Sequence, residues 1–204
     1  MNAGESRQLL GVLNCDFRCT LSGPLLFWGF MDIINYRSIK NSKHVRFWKY
    51  WASMKKIEIV RLNQLPFDDL QPLLVESREQ DFEFLERLVA EYVNETNQFG
   101  KPGEALFGAY CDHQLIAIGG LNRDPYSQES DIARVRHVYV LSSWRNQGVG
   151  KQLVRRIIDE AKKDFRLLTL RTFNQQAGRF YRMMGFKNKP EMKDASHHLV
   201  LDGQ

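Results

Sequence analysis

The chain has 204 residues, of which 43% are hydrophobic and 26% charged. That composition excludes disorder throughout and fibrous repeats, and the length allows one globular domain, or one domain with an appendage. The net charge of +5 is mildly basic and compatible with a polyanionic or phosphorylated partner.

Three cysteines, Cys15, Cys19 and Cys111, are too few and too unevenly placed for a disulfide framework or a four-cysteine zinc site. No apolar run reaches the ~18 residues of a membrane span, and the first residues lack the basic region of a signal peptide. The expectation is a soluble, cytoplasmic protein without a metal.

Residues 1–53 hold seven Lys and Arg against three acids, three of the four Trp, and no sustained helical or strand period. Within them, Tyr36 to Trp51 carries five basic residues, five aromatics and no acid. This quarter reads as an N-terminal extension, poorly ordered or outside the catalytic fold. The alternative is a nucleic-acid or membrane-surface arm. A domain over 54–204 follows.

From Met54 the texture alternates between α and β. Ile57 to Leu62 predicts a strand, and Phe67 to Glu76 a helix disturbed by Pro72. Ser77-Arg78-Glu79-Gln80 has the spelling of a capping box, ahead of Leu85, Leu88, Val89 and Tyr92 at helical spacing. Ala105 to Cys111 and Gln114 to Leu121 flank Asp112-His113, which predicts a hairpin. Ile132 to Val140 is a long strand. Gly148 and Gly150 open a helix through Ala161. Leu167 to Arg171 is a strand, Asn174 to Met184 a helix closed by Gly185, and His198 to Leu201 a last strand. The fold class is α/β, with both antiparallel and parallel pairing.

The chemistry-bearing segment is Val138 to Val154, a strand, a short loop with two glycines and an amphipathic helix. Amides at a helix start have no intrahelical partner and, with the dipole, attract anions. Glycines let the backbone approach a phosphate. Gly150-Lys151 is followed by Gln152, which excludes a Walker A loop. Leu153 and the lack of an acid in Leu167 to Leu170 exclude a dinucleotide fingerprint.

Arg145-x-x-Gly148-x-Gly150 after such a strand resembles the acyl-CoA pyrophosphate loop of the GNAT superfamily of N-acetyltransferases. Asn174-x-x-Ala177-x-x-Phe180-Tyr181-x-x-x-Gly185-Phe186, on the next strand–helix unit, resembles a second feature of the same family. The resemblance runs from about Ile57 to Leu201 and implies a mixed antiparallel/parallel central sheet flanked by helices. It implies acetyl-CoA as the acetyl donor, with no metal. Main-chain groups on the strand Val138, Tyr139 and Val140 would pair with the pantetheine arm. Amides of Arg145, Asn146, Gln147, Gly148, Val149, Gly150 and Lys151 would hold the pyrophosphate. Asn174 would bond the pantetheine, and Tyr181 would lie near the sulfur and protonate the departing thiolate.

The residues also carry plainer readings. Asn174 is a good N-cap for its own helix, and Phe180 and Tyr181 can pack a helix face. Arg155 and Arg156 either meet the nucleotide's 3′-phosphate or pair with Asp159 and Glu160. No motif fixes a general base; Glu104, Glu129, Asp131 and His137 are candidates by location. Cys111 reads as a strand-core residue. Residues 64–100 carry nine acids against two Arg, while 133–171 carry ten basic residues against three acids. This asymmetry suits an anionic donor and either a cationic amine acceptor or a solvated acidic face.

The expected activity is transfer of acetyl to a small-molecule or peptide amine by direct attack. A non-catalytic acyl-CoA-binding module is the alternative, and a nucleic-acid-binding protein using residues 36–51 a third. A homodimer is compatible with the sequence, which does not specify one.

Overall fold

The computed structural model describes residues 56–188 and 194–201. The extension at 1–53, with its basic-aromatic segment, lies outside the described residues. Seven strands form one sheet in the order β1-β2-β3-β4-β5-β7-β6. The strands are β1 (Glu58–Leu62), β2 (Ala105–Cys111), β3 (Gln114–Arg123), β4 (Ile132–Val140), β5 (Leu167–Leu170), β6 (Lys187–Asn188) and β7 (His197–Val200). Only β4 and β5 pair in parallel, as the expected mixed sheet requires. Four α-helices join them: α1 (Phe67–Glu79), α2 (Phe84–Val93), α3 (Val149–Ala161) and α4 (Gln175–Met183).

Pro72 removes one helical N–H in the second turn of α1, yet the helix runs to Glu79, three residues past the expected end. Burial of Leu70, Leu73, Leu74 and Ser77 along one stripe outweighs the lost bond. The capping-box expectation is corrected. Ser77 lies inside α1, where its hydroxyl donates to the Leu74 carbonyl at 3.0 Å, and α2 starts at Phe84 without a side-chain cap. The chain turns instead at Asp81, φ 56°. Phe82 N–H donates to Ser77 O at 2.8 Å and Asp81 N–H to Arg78 O at 3.0 Å, a Schellman ending with a left-handed aspartate.

The β2–β3 hairpin has positive φ at both Asp112 (48°) and His113 (64°), the pattern of a two-residue type I′ turn. Between β3 and β4 the register shifts: Ile118 faces Tyr139, but Gly120 faces Arg136. Gly119 therefore opposes both His137 and Val138, a bulge in which His137 takes φ 55°. Gly120 is glycine for contact reasons, because a Cβ there would lie 2.2 Å from the Phe99 ring.

Alternation along β4 sorts its side chains between two faces. Val138 and Val140 lie with α3, next to Leu153, Ile157 and Gly150. His137 and Tyr139 reach Phe84 and Glu76 on the α1–α2 side. Leu153, Val154, Ile157 and Ala161 bury one stripe of α3 against β2, β3 and β4.

Parallel pairing of β4 with β5 covers only Ile132, Ala133 and Arg134 against Leu167, Leu168 and Thr169. A buried cluster pins this short base. Arg134 pairs with Asp124 at 3.3 Å, and the Thr169 hydroxyl donates to Asp124, with the Ala133 carbonyl as the alternative acceptor at 3.1 Å. Beyond Arg134 the two strands are unpaired, and the edge of β4 left without a ladder partner is the candidate cleft.

Candidate active site

The upper half of β4 supplies the cleft wall. Leu141 N–H donates to Ile116 O at 3.0 Å, so the odd residues Tyr139 and Leu141 turn their backbone toward β3. By alternation Val138 and Val140 turn theirs toward the open side. The Val140 carbonyl there accepts a hydrogen bond from Arg145 Nε at 2.9 Å. Two strand residues thus present main-chain donors and acceptors where β5 no longer pairs, as an added extended chain needs.

The wall ends in a tight loop. Trp144, buried, sits in a single 3₁₀ turn at Ser142–Trp144, and Gln147 Nε2 donates to the Ser143 carbonyl at 2.7 Å. Asn146 (φ 60°) and Gly148 (φ 82°) are both left-handed. The first helical bond of α3 is Gln152 N–H to Gly148 O at 3.0 Å. The amides of Val149, Gly150 and Lys151 therefore precede any intrahelical acceptor and face outward at the positive end of the dipole. A left-handed loop ahead of a helix start is a candidate anion cradle. Gly148 is required by its φ. At Gly150 a Cβ would meet Val140 at 3.5 Å and Phe180 at 3.6 Å, ordinary contact, so the fold does not demand glycine there.

Glu76 of α1 ties this loop to the opposite layer. Its carboxylate accepts from the Tyr139 hydroxyl at 2.8 Å, Ser142 N–H at 2.8 Å and the Ser142 hydroxyl at 2.7 Å. Arg145 adds an ion pair at 3.7 Å and donates to Gln80 Oε1 at 2.8 Å. Burial opposes ionisation of Glu76, but the Ser142 and Tyr139 hydrogen bonds and the Arg145 charge outweigh it and hold its pKa below the usual value. Tyr139 is placed as part of this latch. Its side chain meets Glu76 and its backbone faces β3, while the cleft receives its two neighbours.

Asn174 is the N-cap of α4. Its Oδ1 accepts from Gln176 N–H at 2.8 Å and Ala177 N–H at 3.1 Å, which leaves only the amide Nδ2 to act as a donor in the cleft. Tyr181 is buried, edge-on to Phe180 at 5.2 Å and to Phe186 at 5.5 Å. Burial raises the pKa of its hydroxyl far above the ordinary phenol, so it stays protonated. Both plain readings, cap and packing, therefore hold, and neither removes the Nδ2 or hydroxyl donor.

The base candidates fare differently. Glu104 is buried and spends its oxygens on Arg123 N–H at 3.2 Å and Lys101 N–H at 3.3 Å. Glu129 and Asp131 both pair with Arg166 at the start of β4, the end away from the cleft. His137 Nδ1 lies 2.8 Å from the Phe84 carbonyl; a carbonyl only accepts, so Nδ1 carries the proton. Burial, with the charge of Arg136, pushes the His137 pKa down to about 4, which makes it a weak base. Arg156 pairs with Glu160 at 2.9 Å and stacks on Phe107, so its structural reading prevails over a phosphate contact. Cys111 is buried in β2. Among the described residues no group of His, Cys, Asp and Glu could hold a metal, and no helix is long and apolar enough to cross a membrane.

The sequence did not single out Glu76. Its partners lie at least 63 residues away along the chain, so no local spacing marks it.

Comparison with known proteins agrees with this geometry. The model of the Acetyltransferase (GNAT) family matches residues 67–186. A solved protein from Exiguobacterium sp. 255-15, assigned as an acetyltransferase, is 32% identical, with TM-score 0.64 over 71% of this chain and 93% of its own. The GNAT family N-acetyltransferase YhbS of Escherichia coli, solved with CoA, shares the fold at 16% identity and TM-score 0.56, over 72% of this chain and 83% of its own. A GNAT family acetyltransferase of Staphylococcus aureus Mu50 does so at 20% and 0.54, over 72% of this chain and all of its own. A comparison with curated protein sequences finds no match. The family match takes in both the anion cradle and the closing turn of α4, and the chain belongs to the GNAT acetyltransferase family.

Proposed function

We propose that this chain transfers an acetyl group from acetyl-CoA to a primary amine by direct attack. The observation that carries the reading is the continuity of the cleft. The edge of Val138 and Val140 that β5 leaves unpaired, with the Val140 carbonyl accepting from Arg145 Nε, leads in sequence into the loop that carries left-handed Asn146 and Gly148. An extended arm ending in a pyrophosphate matches that shape. In this reading Val138 and Val140 pair with the pantetheine, residues 145–151 hold the pyrophosphate through their amides, and Asn174 donates through Nδ2.

Acetyl-CoA, when bound, supplies the thioester acyl group. The chain's residues do the rest. A backbone N–H of Val138 or Val140 donates to the acyl oxygen as negative charge gathers there. The amine forms the C–N bond as the C–S bond breaks. The amine gives up a proton to water, and Tyr181 delivers one to the departing thiolate before recovering its own from solvent. A phenol kept neutral by burial suits that donation.

The acidity of residues 64–100 gives limited support to a cationic acceptor. Asp69 accepts from the Tyr110 hydroxyl at 3.1 Å, Glu86 pairs with Arg78, Glu91 pairs with Arg136, and Glu76 forms the latch. Several of these acids are thus bound up in the fold. The catalytic domain is taken to begin near Met54, and the cysteine usage fits a cytoplasmic setting. The test is thiol release from acetyl-CoA across polyamines, amino acids, aminoglycosides and peptide N-termini. Release that depends on one amine class supports transfer, whereas tight binding without release on any amine favours a binding module.

A further inference from the structure

α4 has two working flanks. Phe180 looks toward Gly150 and the pyrophosphate cradle. The other flank borders a cavity of about 270 Å³, lined by Asn174, Gln175, Gly178, Arg179, Arg182 and His197 among others. Asn174 is shared with the proposed pantetheine contact, but the proposed reaction uses none of Arg179, Arg182 and His197.

His197 of β7 is only 5% exposed. Its Nδ1 lies 2.9 Å from Ser196 Oγ, and that oxygen also accepts from Thr172 N–H at 2.9 Å. The other ring nitrogen, Nε2, is buried without a partner. The position that a Cβ of residue 178 would take lies 3.5 Å from His197 Nε2 and 3.6 Å from Arg182 Nη1. The missing side chain of Gly178, a buried residue of α4, thus leaves a gap on which an imidazole and a guanidinium converge. Neither Arg179 nor Arg182 forms an ion pair among the described residues. Among the described residues the lining holds no acid, so two guanidinium charges and an unpartnered imidazole nitrogen face one gap.

We propose that this cavity is an anion site for a phosphate-type oxyanion, held by Arg182, Arg179 and His197 Nε2 over Gly178. Guanidinium forks match the geometry of phosphate oxygens. The Ser196 hydroxyl donates to the Leu170 carbonyl at 3.4 Å, so its oxygen can accept from Nδ1–H, and a phosphate at Nε2 favours the imidazolium, whose Nε2–H donates to it. The phosphate belongs either to a free phosphate compound or to the 3′ position of the CoA nucleotide. Both present the same oxygens.

The test uses the full-length chain titrated with inorganic phosphate, followed by calorimetry and by the ring-proton resonance of His197. Wild type should bind saturably, with the His197 resonance shifting in step. Arg182→Gln should lose affinity by about tenfold or more, the loss of a charge-assisted bond. Gly178→Ala is the discriminating variant. Its Cβ makes only ordinary contacts with the protein and alanine favours helix, so the fold is retained, but the methyl group enters the gap and should abolish binding. Phosphate that is displaced by CoA and not by dephospho-CoA assigns the site to the nucleotide; displacement by neither assigns it to a free phosphate ligand. Unsaturable binding to wild type, or equal binding by wild type and Gly178→Ala, would overturn the proposal.

Discussion

The Tyr139 hydroxyl, buried at the top of β4, donates at 2.8 Å to the carboxylate of Glu76 on α1. The same carboxylate accepts from the amide and hydroxyl of Ser142, the first residue of the 3₁₀ turn. One side chain of the α1–α2 layer thereby sets the angle at which the strand enters the anion cradle. Glu76→Ala leaves the Tyr139 hydroxyl and the Ser142 amide without an acceptor, a cost of about 1–3 kcal/mol, and should weaken acetyl-CoA binding as the loop relaxes. Calorimetry and thermal melts on the variant check both effects.

The same carboxylate gives a pH signature. Its folded pKa lies below the usual value of 4.5, so its contribution is present above that value and lost as pH falls through the depressed pKa. Acid melts of wild type and Glu76→Gln should keep a constant separation above pH 4.5 and converge as the pH falls below it. Parallel curves over the whole range would show that the charge contributes nothing.

His137 works in a higher window. Its folded pKa is about 4 against an ordinary 6.5. The unfolded chain takes up the proton first, so the stabilisation is complete above pH 6.5 and is lost between 6.5 and 4. That loss is on the order of 3 kcal/mol. His137→Asn should flatten the stability profile in this window, as read by urea denaturation at successive pH values.

Much of the fold could be read from the chain because its signals are local. The Asp112-His113 turn, the Gly185 stop after α4 and the two glycines of the cradle each act on neighbouring residues. Ser77 misled because the capping-box spelling also occurs inside a helix, and the true stop, a left-handed Asp81, is a conformation that aspartate adopts less readily than glycine. Two-residue β6 is too short to carry a period. The bulge at His137 is set by Gly119 and by Phe84 at a distance, and the Glu76 latch and the His197 cavity likewise assemble from segments far apart in sequence. Geometry of that kind has no local spelling.

Tyr181→Phe should lower turnover by about 10²–10⁴-fold, the usual worth of a general acid, with acetyl-CoA affinity nearly unchanged. Because burial holds the phenol protonated well above its ordinary pKa of 10, the wild-type rate should show no alkaline loss from this group below pH 10. Wild-type turnover in the variant would reduce Tyr181 to a packing residue.

A chain truncated to residues 54–204 should fold cooperatively, since it retains every residue of the described core, and should bind acetyl-CoA with the affinity of the full chain. Loss of solubility or of binding would make residues 1–53 part of the working enzyme.

The proposed transfer depends on acetyl-CoA being held at the cradle that opens α3. Gly148 has φ 82° with open space where a side chain would point. Glutamate there strains the loop and puts a negative charge among the amides meant for the pyrophosphate. Isothermal titration of acetyl-CoA into wild type and Gly148→Glu, both shown folded by circular dichroism, should give saturable binding in the first and none in the second. Equal affinity in the two proteins would contradict the account.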